Sequence, residues 1–307
     1  MIYGVLAYLM WGLFPAYFPL LLPASPLEIL AHRVVWTAVV MIIVLSFSRG
    51  GWRELREASL GAWLRMGTAG AVVSINWLIY VIAVNSTHVA DAALGYFMNP
   101  LVSVVLGMVF LRERLRPLQL TSVGIATVAV LLLTFLAGHP PLIGLALAFS
   151  FGFYGLIKKQ VAVSATASLT AETLIISPVA VAYLGYLSYT GESTFLSEGV
   201  DHTVLLISSG VVTALPLLFF GKGAKLLPLA TIGMLQYMTP SIQMLWALFI
   251  NHEQVEPARW VGFVIIWTAV VIFLFDLFLQ RRGEKRRRRR DTGAVAEQPT
   301  PPPPATH

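Results

Sequence analysis

The stretch EILAHRVVW, residues 28–36, sets a carboxylate, an imidazole and a guanidinium inside an otherwise apolar segment. Glu28 and His32 are four residues apart and share one face of a helix. Because imidazole titrates near neutrality, such a pair can couple to a proton; a histidine simply satisfied by a hydrogen bond gives the same spacing. Arg33 falls about 7 Å from Glu28 along the axis at ~1.5 Å per residue, one to two turns from the nearer surface. Two readings of Arg33 stand side by side. It snorkels outward or pairs with Glu28, or it lines a cavity and meets an anionic or zwitterionic substrate.

A second cluster, NWLIYVIAVN at 76–85, places Asn76 and Tyr80 on one face with Trp77 beside them. Aromatic walls with a few fixed amide and hydroxyl groups suit a small-molecule site; hydrogen bonding by Asn76 between helices is the alternative. A third phrase occurs twice. In GYFMNPLVSVVLGMVFLRERLRP and QYMTPSIQMLWALFINHEQVEP, one shift (240 − 100 = 140) sets Pro100 over Pro240, Phe97 over Tyr237, Met98 over Met238, Glu113 over Glu253 and Pro117 over Pro257. Tyr96 then meets Gln236, and both are candidates to line the site. Pro100 and Pro240 each free a backbone carbonyl, which in hydrocarbon needs a partner or a wet cavity, so both are candidate flexures and equally plain packing kinks. Glu113 and Glu253 read as caps of connections, Glu172 as part of a gate. No P-loop, HExxH or GxSxG is present, so no ATP-driven or catalytic function is expected of this chain.

These groups must be held by membrane helices. The chain has 307 residues, 57% of them hydrophobic and 12% charged, with a mean hydropathy of +0.76; soluble domains carry about 25% charged residues. Ten apolar runs near the ~20-residue length of a span lie at about 2–22, 29–47, 62–84, 92–111, 118–136, 141–158, 169–189, 203–224, 229–250 and 258–279. The first reads as a retained helix, not a cleaved signal. With no Cys, disulfides and thiolate metal sites are excluded, and no cofactor or metal is expected. Lys and Arg fall in alternate connections, which predicts a multi-pass protein with both termini cytoplasmic. The run RRGEKRRRRR at 281–290 lacks the aromatic interleaving of a nucleic-acid site and reads, with residues 291–307, as a disordered cytoplasmic tail beside anionic lipid.

Five helices per half is an odd number, so a second copy enters the membrane inverted. Its loop is then external, and there His252, Gln254 and Glu256 replace Arg112, Arg114 and Arg116. The expected organisation is an all-α integral membrane protein with ten transmembrane helices in two inverted five-helix repeats, 1–137 and 138–280, around a central cavity. The segments YLMWGLFPAYF, LEILAHRVVWT, NWLIYVIAVNS, ALGYFMNPLVSVVLGMVFLRERL and GMLQYMTPSIQ resemble the RarD group within the EamA branch of the drug/metabolite transporter superfamily. That resemblance implies a bacterial inner-membrane carrier that exports or imports small metabolites, and the cavity chemistry, aromatic and amide-rich with one cation, fits amino acids, related metabolites or aromatic drugs equally well. The resemblance also implies a lysine near the end of the first helix, where this chain has Pro19. Export by alternating access is the expected function, with a proton gradient, substrate exchange or downhill flux all admissible. A membrane scaffold acting through the basic tail is the alternative.

Overall fold

The computed structural model describes the backbone of residues 1–85, 89–138, 140–250, 252 and 257–296, and side chains within these ranges except 84–93, 137, 257–259 and 281–296. Glu253 and Glu256 lie outside the described residues. Every described element is helical: α1 (Ile2–Gly12), α2 (Phe14–Tyr17) and a 3-10 turn (Phe18–Leu21), α3 (Pro26–Phe47), α4 (Gly51–Arg56), α5 (Leu60–Asn85), α6 (Val89–Phe110), α7 (Pro117–Ala137), α8 (Leu142–Gln160), α9 (Ala165–Thr190), α10 (Val200–Leu226), α11 (Leu229–Leu235), α12 (Met238–Phe249) and α13 (Pro257–Ala296).

Local chemistry sets the boundaries. Ser25 caps α3 by accepting the Glu28 backbone N–H at 3.2 Å, with Pro26 in the first turn, where a missing N–H is harmless. Ser164 caps α9 in the same way, and α7 and α9 end on Gly138 and Gly191 at positive φ, the conformation that favours glycine.

Eight described segments are long and apolar enough to cross a bilayer, with Leu94–Phe110 a shorter apolar helix. The ninth expected run is not one continuous helix. It breaks between α11 and α12 at Gln236 and Tyr237, three to four residues before Pro240, whose ring blocks the normal bond to the Gln236 carbonyl. The Thr239 N–H takes that carbonyl in a tighter turn at 3.0 Å. Pro100 sits inside an unbroken α6. The first run bends at Leu13 into α2 and the 3-10 turn. The helix of α13 also continues through the basic run to Ala296, where the tail was expected to be irregular; Arg, Lys and Glu are good helix formers.

α3 lies between α9 and α10, α5 between α8 and α9, and α6 against α8 and α11; α1 packs on α10 and α12, and α7 on α13. Small residues allow the closest approaches, as is usual where lipid supplies no hydrophobic drive between helices. Large apolar side chains such as Phe47, Phe135 and Tyr189 point outward, 87%, 81% and 91% exposed. In water this would be an aggregation hazard; a bilayer covers it.

The connections gather at two ends. At one, Glu54 accepts from the Ser164 N–H and hydroxyl, Arg65 donates to the Gln160 carbonyl, Lys225 reaches Val161 and Val163 carbonyls, and Arg116 faces the buried Asp276 at 3.5 Å. The basic connections therefore lie together. At the other end the 191–199 strap rests on α3.

A Cβ at Gly210 would lie 2.4 Å from the Trp36 carbonyl carbon, whereas one at Gly185 would meet nothing within 4 Å. Gly210→Val should therefore lose about 1–3 kcal/mol through overpacking between α3 and α10. Thermal unfolding of the detergent-purified variants should show a clear drop for Gly210→Val and none for Gly185→Val.

Candidate functional site

Arg33, the eighth residue of α3, projects toward α2, the 3-10 turn, α5 and α10. Its Nε donates to Thr213 Oγ1 at 3.0 Å. Its Cζ stands 4.7 Å from the Trp77 ring centre, 5.1 Å from Phe18 and 5.8 Å from Phe14. Guanidinium stacks well on aromatic faces, and such contacts replace part of its lost hydration. Tyr17, Tyr80 and Tyr96 complete its electrostatic surroundings, with the Tyr80 and Tyr96 rings edge to face at 6.0 Å. Trp77, Tyr80 and Tyr96, candidates from the sequence, thus come together with Arg33. Phe14, Phe18 and Thr213 join them without having been anticipated.

Arg33 does not pair with Glu28. Five residues on a helix turn the second side chain about 140° from the first, so the two face different neighbours. Glu28, 1% exposed, accepts from the Thr194 N–H at 2.8 Å and from the Ser193 hydroxyl at 3.1 Å, pinning the strap to the start of α3. His32 shares the Glu28 face. Its Nδ1 accepts from Trp36 Nε1 at 3.2 Å, its ring lies 4.8 Å from Phe195, and its buried Nε2 finds no acceptor among the described residues.

Asn76 donates both amide hydrogens to α8, to the Leu147 carbonyl at 2.9 Å and to Ser150 Oγ at 2.8 Å. Its amide nitrogen therefore holds helices together, the alternative weighed for it in the sequence. Gln236 sits in the α11–α12 break, 4% exposed, with Oε1 unpartnered among the described residues. Beside it the Tyr237 hydroxyl donates to the Phe97 carbonyl at 3.1 Å, joining the two repeated phrases at the turn that Pro100 loosens.

Toward the end with the basic connections, the interior is closed. Glu172 on α9 receives Lys158 Nζ at 2.6 Å, Ser168 Oγ at 2.5 Å and the Tyr154 hydroxyl at 3.2 Å, and Lys158 and Glu172 are 0% and 2% exposed. Tyr154 stacks on Phe220 at 5.7 Å, and Tyr8, Trp11 and Phe151 pack against that pair. Lys158, two residues from the end of α8, was not among the candidates from the sequence. The demand of Glu172 for a counter-ion at membrane depth is the signal that could have found it. Glu113 accepts from the Leu229 and Ala230 N–H groups at 2.6 and 3.0 Å, joining the connection after α6 to the start of α11.

With this geometry in view, comparison with known proteins is informative. Residues 1–135 match the EamA-like transporter family. Protein RarD of Streptomyces exfoliatus is 46% identical over 93% of this chain and 91% of its own. The chain belongs to the EamA-like transporter family, among its RarD-like members. The uncharacterized transporter YojE of Bacillus subtilis is 44% identical over 92% of this chain and 96% of its own. A solved crystal structure 18% identical covers 89% of this chain and 96% of that one with a TM-score of 0.69, which is a likeness of fold. This EamA-like protein is accordingly a multi-pass transporter of the bacterial inner membrane.

Removing one member of a buried ion pair strands the other charge and costs about 3–5 kcal/mol, whereas replacing both can be nearly neutral. Lys158→Met should therefore lose much of the folded yield, and Lys158→Met/Glu172→Leu should recover most of it. Size-exclusion yield and melting temperature in detergent provide the check.

Proposed function

We propose that this transporter is a secondary carrier that exports a small metabolite or drug by alternating access, built from two inverted five-helix halves, residues 1–137 and 138–280. The observation that carries this reading is the polarity of the interior. An Arg33-centred aromatic box with half-exposed walls lies on one side of a buried ion pair and a five-ring aromatic cluster that close the other.

Contacts that repeat under the shift of 140 support the two halves. A Cβ on Gly12 would lie 2.8 Å from Ile242, and one on Gly152 would lie 2.9 Å from Val102. Gly4 meets Leu235 as Gly144 meets Gly95. Arg112 and His252 share a φ of 54°. α5 packs on α8 as α10 packs on α1, and α5 on α9 as α10 on α3. The grouping of basic connections at one end supports a cytoplasmic assignment of that end, with both termini inside.

In the proposed cycle Arg33, Trp77, Tyr80 and Tyr96 contact the cargo, with Asn76 and Gln236 fixing the site from the α5–α8 contact and the helix break. Pro100 and Pro240 permit bending. Glu172, with Lys158, closes the inner gate, and Glu28 and His32 hold the outer strap, where His32 is the group available to couple a proton.

Export is tested by untargeted mass spectrometry of medium and cells that express the intact protein, Trp77→Ala at equal abundance, or nothing. A compound enriched outside only with the intact protein is expected; three equal profiles would remove the export reading. Orientation is tested with cysteines at two exposed serines, Ser197 and Ser59. Ser197→Cys should react in intact cells with an impermeant maleimide and Ser59→Cys only after lysis, and the opposite pattern would overturn the assignment of ends.

A further inference from the structure

We propose that Arg33 is the recognition point for the carboxylate of an aromatic organic monoanion, so that the cargo class is an aromatic acid and not a zwitterion, an amine or a phosphate ester. This deepens the carrier reading and rests on it only in calling the bound molecule a cargo.

The first ground is the fork. Guanidinium carries five N–H donors in one plane, and Arg33 uses Nε on Thr213. Among the described residues no carboxylate pairs with it and no other acceptor is bonded to it. The other charges at depth are engaged elsewhere: Glu28 on the strap, Glu172 on Lys158. An unpaired cation in a membrane interior is costly and is normally kept for a partner. Two parallel N–H groups match the two oxygens of a carboxylate.

The second ground is the wall. Phe14, Phe18 and Trp77 stand around the guanidinium, and Tyr80 and Tyr96 lie within its field. These rings suit the flat apolar body of a ligand whose acid reaches Arg33, and the Tyr80–Tyr96 pair, hydrogen-bonded to each other, keeps one O–H to donate to the same carboxylate.

The third ground is the charge count. None of the described side chains around Arg33 is acidic, so among them an ammonium has no counter-ion. One cation balances one negative charge; a phosphate ester carries nearly two at neutral pH, and Lys158 is withheld by Glu172.

The test uses detergent-purified protein and phenylacetate, indole-3-acetate and cinnamate, each beside its primary amide, with phenethylamine and phenylalanine as further arms. Melting temperature reports binding. At least one acid should stabilise the wild type while its amide, the amine and the zwitterion do not. Arg33→Gln should weaken that acid at least ~10-fold, and Arg33→Lys should retain part of the effect because it keeps charge without the fork. Ligand-free melting establishes that each variant is folded, and if Arg33→Gln does not fold, a weaker acid effect in Arg33→Lys decides. Equal shifts from acid and amide, an unchanged effect in the variants, or no shift from any of the three acids would overturn the proposal. Flux of the same acid into proteoliposomes is read separately. Stabilisation without flux keeps the anion site and removes the carrier reading, whereas flux equal in wild type and Arg33→Gln keeps the carrier and overturns Arg33.

Discussion

A charge inside hydrocarbon must be paired, hydrogen-bonded, wetted or laid against aromatic rings, and the ionisable groups in these helices divide along those lines. Glu172 and Lys158 neutralise each other, with Ser168 and Tyr154 completing the carboxylate's bonds. Glu28 takes a backbone N–H and a hydroxyl from the strap. Asp276 faces Arg116. Among the described residues Arg33 has only a hydroxyl and π faces. Satisfying the first groups ties α8 to α9, the strap to α3 and α7 to α13, and the box lies where the remaining charge has no counter-ion among the described residues.

Much of this could be read from residue order. Eight of the ten apolar runs fall on described segments long enough to span, because span length is set by bilayer thickness, and Ser25-Pro26 and Gly138 mark boundaries by local chemistry alone. The repeated Asn-Pro and Thr-Pro phrases located the loosened turns, although the break at Gln236 and Tyr237 and the unbroken α6 differ despite the shared proline. Arg33, Trp77, Tyr80 and Tyr96 stood out as candidates because polar and aromatic groups at depth are few, and the fold brings them together. What failed to show was pairing. Whether Asn76 meets cargo or the Leu147 carbonyl depends on which helix lies opposite, and no local pattern encodes that. Lys158 stands two residues from the end of α8 and looks like a loop charge until α9 brings Glu172 beside it. Asp276 was hidden in the run FLFDLF for the same reason.

The placement of the ion pair bears on how the closed end can open. Glu172 lies seven residues into α9, about 10 Å from its start, and Lys158 lies within the last turn of α8. If α8 and α9 separate at that end, both groups meet water after a short displacement and regain hydration. An ion pair at the bilayer centre would have to break in hydrocarbon, where the uncompensated charges cost several kcal/mol each. A pair near the end can therefore be firm when closed and still release. The aromatic cluster behind it behaves differently, since separating Tyr154 from Phe220 exposes apolar rings that regain nothing from water. In the proposed cycle the rings favour closure and the charges make opening feasible, and cargo binding at Arg33 has to shift that balance by contacting α2, the 3-10 turn, α3, α5 and α10 differently in the two states.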